Sequence, residues 1–269
     1  VFDAGAETNV PDDVKWAGLD ESQRTAVKRL YAWIRSCVPD GATSADLSTF
    51  KSEKFRDEIS DYFDKAFLLT YYLWTDYFLA VDQRAKNMML RTWDGLIWYI
   101  TYYDGDTQMG KRNDCFLVYD YTTDRDTYDA EAGKYAFEGR DSWLWNLVLA
   151  NLDADLKTQA QALRGVLTTS RVLDMLNVEQ AGNWCDRAYN KSGELKYILP
   201  ATQEMYGKVW PFIYALQGSN RAHREYFVRN RFALLDAKYG TSNFTSDNID
   251  LYLARTAADT PAVLKITAN

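Results

Sequence analysis

The chain has 269 residues, 47% of them apolar, with a formal net charge of -7. That length allows one large domain or two small ones, and the apolar share is enough for a sizeable core. The acidic balance argues against a nucleic-acid binder, which would show a basic face.

Residues 1 to about 19 read as irregular, punctuated by Gly5, Pro11 and Gly18. A helix follows over DESQRTAVKRLYAWIRSC, with Asp20 as its cap and Val27, Leu30, Tyr31 and Ile34 at helical spacing. Pro39 and Gly41 end it. A second helix is expected from Ser48 or Thr49, where STFKSEKFRDEI has an N-cap and early acids. A longer apolar helix restarts at Asp61 and reaches roughly Ala80. Asp64, Lys65 and Asp76 interrupt the nearest candidate for a membrane span, so a buried helix is expected there.

The register then changes. MMLRTW and LIWYITYY are strand-like and joined by Asp94-Gly95, a strong hairpin signal because both turn positions of a two-residue loop want positive φ. Trp93 and Trp98 fall within this hairpin and are expected in the core. Asn87 precedes the first strand and Asp104 follows the second, so pairing the strands brings the two together. Asp82 lies five residues before Asn87, and Asp106 two beyond Asp104. A carboxylate and an amide leaving one loop, with further carboxylates leaving the next hairpin, is the layout of a Mg-nucleotide site; protein kinases use the same D-x-x-x-x-N spacing. Each residue also has an ordinary reading. Asp82 can end its helix, Asn87 can satisfy loop backbone groups, and Asp104 and Asp106 can form a turn beside Gly105.

From Lys111 to Arg140 no periodicity holds. Asp120, Asp124, Asp126 and Asp129 suit a hard cation by residue type, but the EF-hand glycine and terminal glutamate are missing, and a solvated acidic loop is the simpler expectation. Helices follow over DSWLWNLVLANL, DADLKTQAQALRGVLTT, LPATQEMYGKVWPFIYAL and SNRAHREYFVRNRFALLDAKYG. Trp143 and Trp145 are too close in sequence to share one helix face. The last helix closes at Gly240, with Lys238 in its final turn. The remaining residues read as β structure, with a boundary near Thr241. Cys37, Cys115 and Cys185 are scattered and His223 is the one histidine, so neither a structural zinc nor a histidine-based nucleophile is expected. A reduced compartment fits this cysteine usage. No signal peptide is expected from the opening residues. The opening VFDAGAETNVPDD and the closing AVLKITAN read as the ends of a piece of a longer polypeptide.

On these residues the stretch from Asp61 to Gly110 resembles the CotH family of atypical protein-kinase-like domains. Its D-R-H-x-x-N and P-[WY]-D-L-D-x-x-x-G motifs have counterparts in D-Q-R-A-K-N and Y-Y-D-G-D-T-Q-M-G. The helix YFVRNRFALLDAKYG resembles the closing Arg-rich helix of such domains. GRDSWLWNLVLANL is similar to sequences inside large virion proteins of tailed bacteriophages. The resemblance implies a mainly α, α+β fold like the large lobe of a kinase with a central β-hairpin, followed by the start of a β-rich segment. The division is then 1–48 for an irregular segment plus helix, 49–240 for the kinase-like domain, and 241–269 for the β-rich start.

As to function, the resemblance implies a structural or docking module of a phage virion protein, in the tail, with other virion proteins as partners. A spore coat is the alternative setting. The alternative activity is a Mg-dependent, ATP-using kinase or related phosphotransferase. There Asp82 is the catalytic-loop aspartate that accepts the substrate hydroxyl proton, Asn87, Asp104 and Asp106 bind metal, and Arg84 and Lys86 face phosphate, Arg84 also standing where the family's basic loop residue orients the acid. Residues 1–48 carry neither a Gly-rich strand-turn-strand nor a lysine on a convincing buried strand, so the nucleotide-gripping half of such a site is not visible.

Overall fold

The computed structural model describes residues 20–105, 107–111, 118–176 and 217–241, the last helix in side-chain detail only from residue 225. The fold is α+β. About half of the described residues are helical, and the strands form two small antiparallel sheets. The chain divides into two compact units, Val1–Ala160 and Gln161–Asn269.

In the first unit, helix α1 (Glu21–Cys37) opens on a capping box. The Asp20 carboxylate accepts from the Gln23 amide at 2.8 Å, and the Gln23 side chain accepts from the Asp20 amide at 2.9 Å. Such a cap is worth about 1 kcal/mol. The buried stripe is Ala26, Leu30, Trp33 and Cys37, one step round from the stripe the spacing suggested; Tyr31 is exposed. Trp33 sets this rotation. Its indole stacks on Tyr62 with centroids 4.1 Å apart and on Phe55 at 5.5 Å, so the largest ring of the helix takes the core.

The expected second helix is broken into pieces. A 3₁₀ turn, Leu47–Phe50, is capped by Asp46, and helix α2 (Glu53–Glu58) by Ser52. Another tight turn, Ile59–Asp61, delays the apolar helix, so α3 runs Lys65–Tyr77 from an Asp64 cap. Most of α3 is buried on all sides, which is why its apolar pattern is nearly continuous. Its end is closed by paired backbone bonds, Leu79 to Asp76 at 3.2 Å and Ala80 to Thr75 at 2.9 Å, with Leu79 at φ 49°. That left-handed position normally takes glycine.

Strands β1 (Met88–Thr92) and β2 (Trp98–Tyr102) pair in the expected antiparallel hairpin. The connection spans residues 93–97, so the two-residue turn is not formed. Gly95 alone of the Asp-Gly pair has positive φ, and the Asp94 carboxylate accepts from the Leu96 and Ile97 amides at 2.8 and 2.9 Å. These bonds hold the Asp94 carboxyl below the usual carboxylate range. Trp98 is buried and its amide donates to the Tyr62 carbonyl at 2.8 Å. Trp93, expected in the core, is instead 84% exposed at the hairpin tip. The longer connection carries it past the end of the strand pairing.

The long loop holds a minimal hairpin, β3 (Tyr128–Asp129) with β4 (Lys134–Tyr135). Helix α4 (Trp143–Asn151) follows. Trp145 is buried, whereas Trp143 lies against α1, near Tyr31 and Arg35. The two tryptophans thus take different faces, as their spacing requires.

Helix α5 (Asp153–Val166) contains the unit boundary. In the second unit, helices α6 (Thr169–Leu176) and α7 (Gln217–Tyr239) are described. Arg164 forms a buried fork onto Asp236, at 2.8 and 3.1 Å, and donates to Thr169. The last helix stops at Gly240, φ 70°, with Lys238 in its final turn, as its sequence predicts. Residues 1–19, the expected helix at 199–216, the expected β segment, Cys115, Cys185 and the His223 side chain lie outside the described residues. The expected boundary near Thr241 adjoins them. Among the described residues no helix is long and apolar enough to cross a membrane.

Candidate functional site

The loop from Leu79 to Asn87 carries most of the sequence-derived candidates, and it points them in two directions. Arg84 turns inward and is 3% exposed. Its Nε donates to Thr75 Oγ1 at 2.9 Å and its Nη2 meets Asp76 Oδ1 at 3.2 Å. The guanidinium lies between the Tyr72 and Phe137 rings, 4.0 and 4.1 Å from their centroids. Every face of the group is occupied, so Arg84 does not face phosphate; it anchors the loop to α3. The Trp145 indole and Tyr71 hydroxyl complete the anchor by donating to the Arg84 and Gln83 carbonyls, both at 2.8 Å. Burial pushes the Tyr71 phenol well above its usual pKa.

Asp82 and Lys86 turn the other way. The Lys86 ammonium lies 3.2 Å from Asp82 Oδ2, with the lysine half-exposed and the carboxylate nearly covered. Both line a cleft of about 350 Å³ whose other side chains include Thr107, Asp129, Lys134 and Glu138. The 118–138 loop therefore supplies one side of this cleft, a contribution the sequence did not reveal. Glu138 is brought there by its amide, which donates to the Val81 carbonyl at 2.9 Å. No local pattern signals such a long-range closure.

Asn87 and Asp104 meet across the hairpin as the strand pairing required. The contact is side chain to backbone: Asn87 Nδ2 donates to the Asp104 carbonyl at 3.0 Å, and Gln83 Nε2 donates to the same oxygen at 2.7 Å. Asp104 has φ 51°, a left-handed conformation that aspartate tolerates, and it is exposed. This bond aligns Asn87 as the ordinary reading of a loop amide supposed. It also leaves Asn87 Oδ1 without a partner among the described residues. Neither Asn87 nor Asp104 lines the cleft that holds Asp82. Of the four side chains expected to gather, Asn87 thus reaches the Asp104 backbone, while Asp82 lines a separate cleft beside Lys86. Asp106 lies outside the described residues, among which no three His, Cys, Asp or Glu side chains are placed to hold a metal ion.

The acids of the long loop build the loop itself. Asp124 Oδ1 accepts from the Asp126 amide at 2.9 Å, Asp126 pairs with Arg140 at 3.1 Å, and Asp129 accepts from Tyr119 at 2.9 Å. A broader depression, about 640 Å³, adjoins the hairpin tip and is lined by Arg29, Asp61, Tyr62 and Leu96. Its cation is already engaged: Arg29 donates to the Leu96 and Asp61 carbonyls and lies over the Tyr62 ring. Compared with known proteins, the chain matches no family model, no curated protein and no solved structure.

Proposed function

We propose that this chain is a structural and docking module of a bacteriophage virion protein, in the tail, with a CotH-like, kinase-related fold and other virion proteins as partners. The observation that carries this reading is the β1–β2 hairpin tip. Trp93 is 84% exposed there, beside Leu96 at 51%. A tryptophan presented to solvent on a self-closed turn is the anchor type that protein interfaces favour. The motif resemblance supplies the virion setting, with a spore coat as the alternative. Mixing the chain with purified tail proteins of its source phage tests the reading by co-sedimentation. The chain is expected to co-sediment, and a Trp93→Ser, Leu96→Ser double variant to bind at least about tenfold more weakly, roughly the loss of one interface anchor. A chain that stays monomeric and binds no tail protein overturns it.

One observation favours a second reading, a Mg-dependent, ATP-using phosphotransferase. The Asn87 amide is oriented by the Asp104 carbonyl so that its oxygen is left to a ligand. In this reading Asn87 and Asp104, with Asp106, would hold magnesium, which supplies charge neutralisation at the ATP phosphates. Asp82 would accept the substrate hydroxyl proton, and Lys86 would stand beside it as the accessible cation. Mg-ATP is then expected to raise the unfolding temperature. Asp82→Asn is expected to abolish phosphate transfer. Transfer that survives both Asp82→Asn and Asp104→Asn removes the assignment.

A further inference from the structure

The cleft beside Asp82 has a chemical character of its own, which the docking reading does not use. Each of its charged groups already has a partner within the protein. Asp82 is paired with Lys86 at 3.2 Å and Glu138 with Lys134 at 3.0 Å, while Asp129 accepts from the Tyr119 hydroxyl at 2.9 Å and from the Ala132 amide at 2.9 Å. An ionic ligand would compete with these internal partners for the same charged groups. The three carboxylates outnumber the two ammonium groups, so a polyphosphate meets net repulsion. The apolar lining is small, Val81, Ala132 and Ala136, with Tyr119 as the aromatic group. A purine base would find no pair of broad faces to clamp it.

What the cleft does offer is a mixture of donors and acceptors at close range. A hydroxyl is both at once, so a hydroxyl-rich molecule can bridge a carboxylate and its ammonium partner without separating them. Thr107 adds an independent observation. It lines the cleft, is 2% exposed, and its hydroxyl has no hydrogen-bond partner among the described residues. Buried hydroxyls normally have one. The volume, about 350 Å³, falls at the small end of small-molecule sites.

We propose that this cleft binds a neutral polyhydroxylated ligand, the chemistry of a saccharide, recognised by the Asp82–Lys86 and Lys134–Glu138 pairs and the Thr107 hydroxyl. The proposal goes beyond the docking reading and does not depend on it. Saturation-transfer NMR on the full chain tests it, with glucose, N-acetylglucosamine and maltose as probes and Mg-ATP as a separate arm. A signal from at least one saccharide at millimolar concentration is expected. Thr107→Val and Glu138→Gln are each expected to raise its Kd at least about tenfold, corresponding to about 1.4 kcal/mol. Thr107→Val removes a hydroxyl with no partner among the described residues, so its unfolding temperature should not fall; a role in folding alone would leave the Kd unmoved. Three results overturn the proposal: no saccharide signal from folded wild-type chain, a Kd unaffected by either substitution, or binding of Mg-ATP alone. Tail-protein co-sedimentation is read separately, so failure of the docking reading is distinguishable from failure here.

Discussion

Arg84 and Lys86 are two residues apart on one loop, yet they have opposite surroundings. The first is enclosed by two aromatic rings, an aspartate and a threonine; the second is half in water, with Asp82 its partner at 3.2 Å. Both are cations paired with an aspartate. The difference lies in what each pair can do when its partner is taken away. A covered pair stripped of one member leaves an uncompensated charge in the interior, whereas water replaces a lost surface partner. The enclosed side therefore carries the stability of the loop, and the open side is where its chemistry is available.

Substitutions on the two sides should separate by size. The largest loss is expected for Arg84→Ala, on the order of 3–5 kcal/mol, because Asp76 is 1% exposed and would remain buried without its guanidinium. Urea unfolding measures it, and a loss below about 1 kcal/mol would erase the contrast. Next comes Gly139→Ala. Gly139 has φ 77°, and an added Cβ would sit 2.5 Å from the Arg84 carbonyl oxygen. Backbone strain of this kind costs about 1–3 kcal/mol, and here the obstacle is main chain that cannot swing aside.

Tyr71→Phe should cost about 1 kcal/mol at neutral pH, the loss of its bond to the Gln83 carbonyl. Its pH dependence follows from the raised phenol pKa. The folded state favours the protonated form, so this contribution is full below the unfolded value near 10 and declines as pH rises above it. The variant should lack that alkaline decline, as thermal melts across pH 9–11 would reveal. Smallest is Lys86→Ala, a few tenths of a kcal/mol for a half-exposed pair four residues apart. A larger change in melting temperature would place Lys86 with the enclosed group.

The same contrast governs what the sequence disclosed. Helix α1, the hairpin and the last helix were legible because their signals are local: a capping aspartate, two alternating runs round Asp-Gly, and a terminal glycine. The meeting of Asn87 with Asp104 followed from strand pairing alone. Arg84 was misread because a basic residue in a polar loop looks solvated until the rings around it are known, and Phe137 lies more than fifty positions away. Trp93 was misread for the opposite reason. Its residue type signals a core, but the longer connection at residues 93–97 places it outside. The cleft's far side, from Tyr119 to Glu138, has no periodicity, so nothing local announced that it would close over the helix exit.

Leu79 gives the loop a fixed origin. A leucine in the left-handed region is disfavoured by about 1–2 kcal/mol relative to the right-handed one, and Leu79 is held there fully buried. A helix end closed by glycine can drift by a residue at small cost; this one cannot, because shifting the turn would expose a leucine and strain its neighbour instead. Helix α3 thus acts as a ruler of set length. Adding or deleting one residue within it would rotate everything downstream by about 100°, a single step of the 3.6-residue turn, and carry Asp82 off its bearing, whereas the hairpin tip should accept an inserted tag without disturbing the loop.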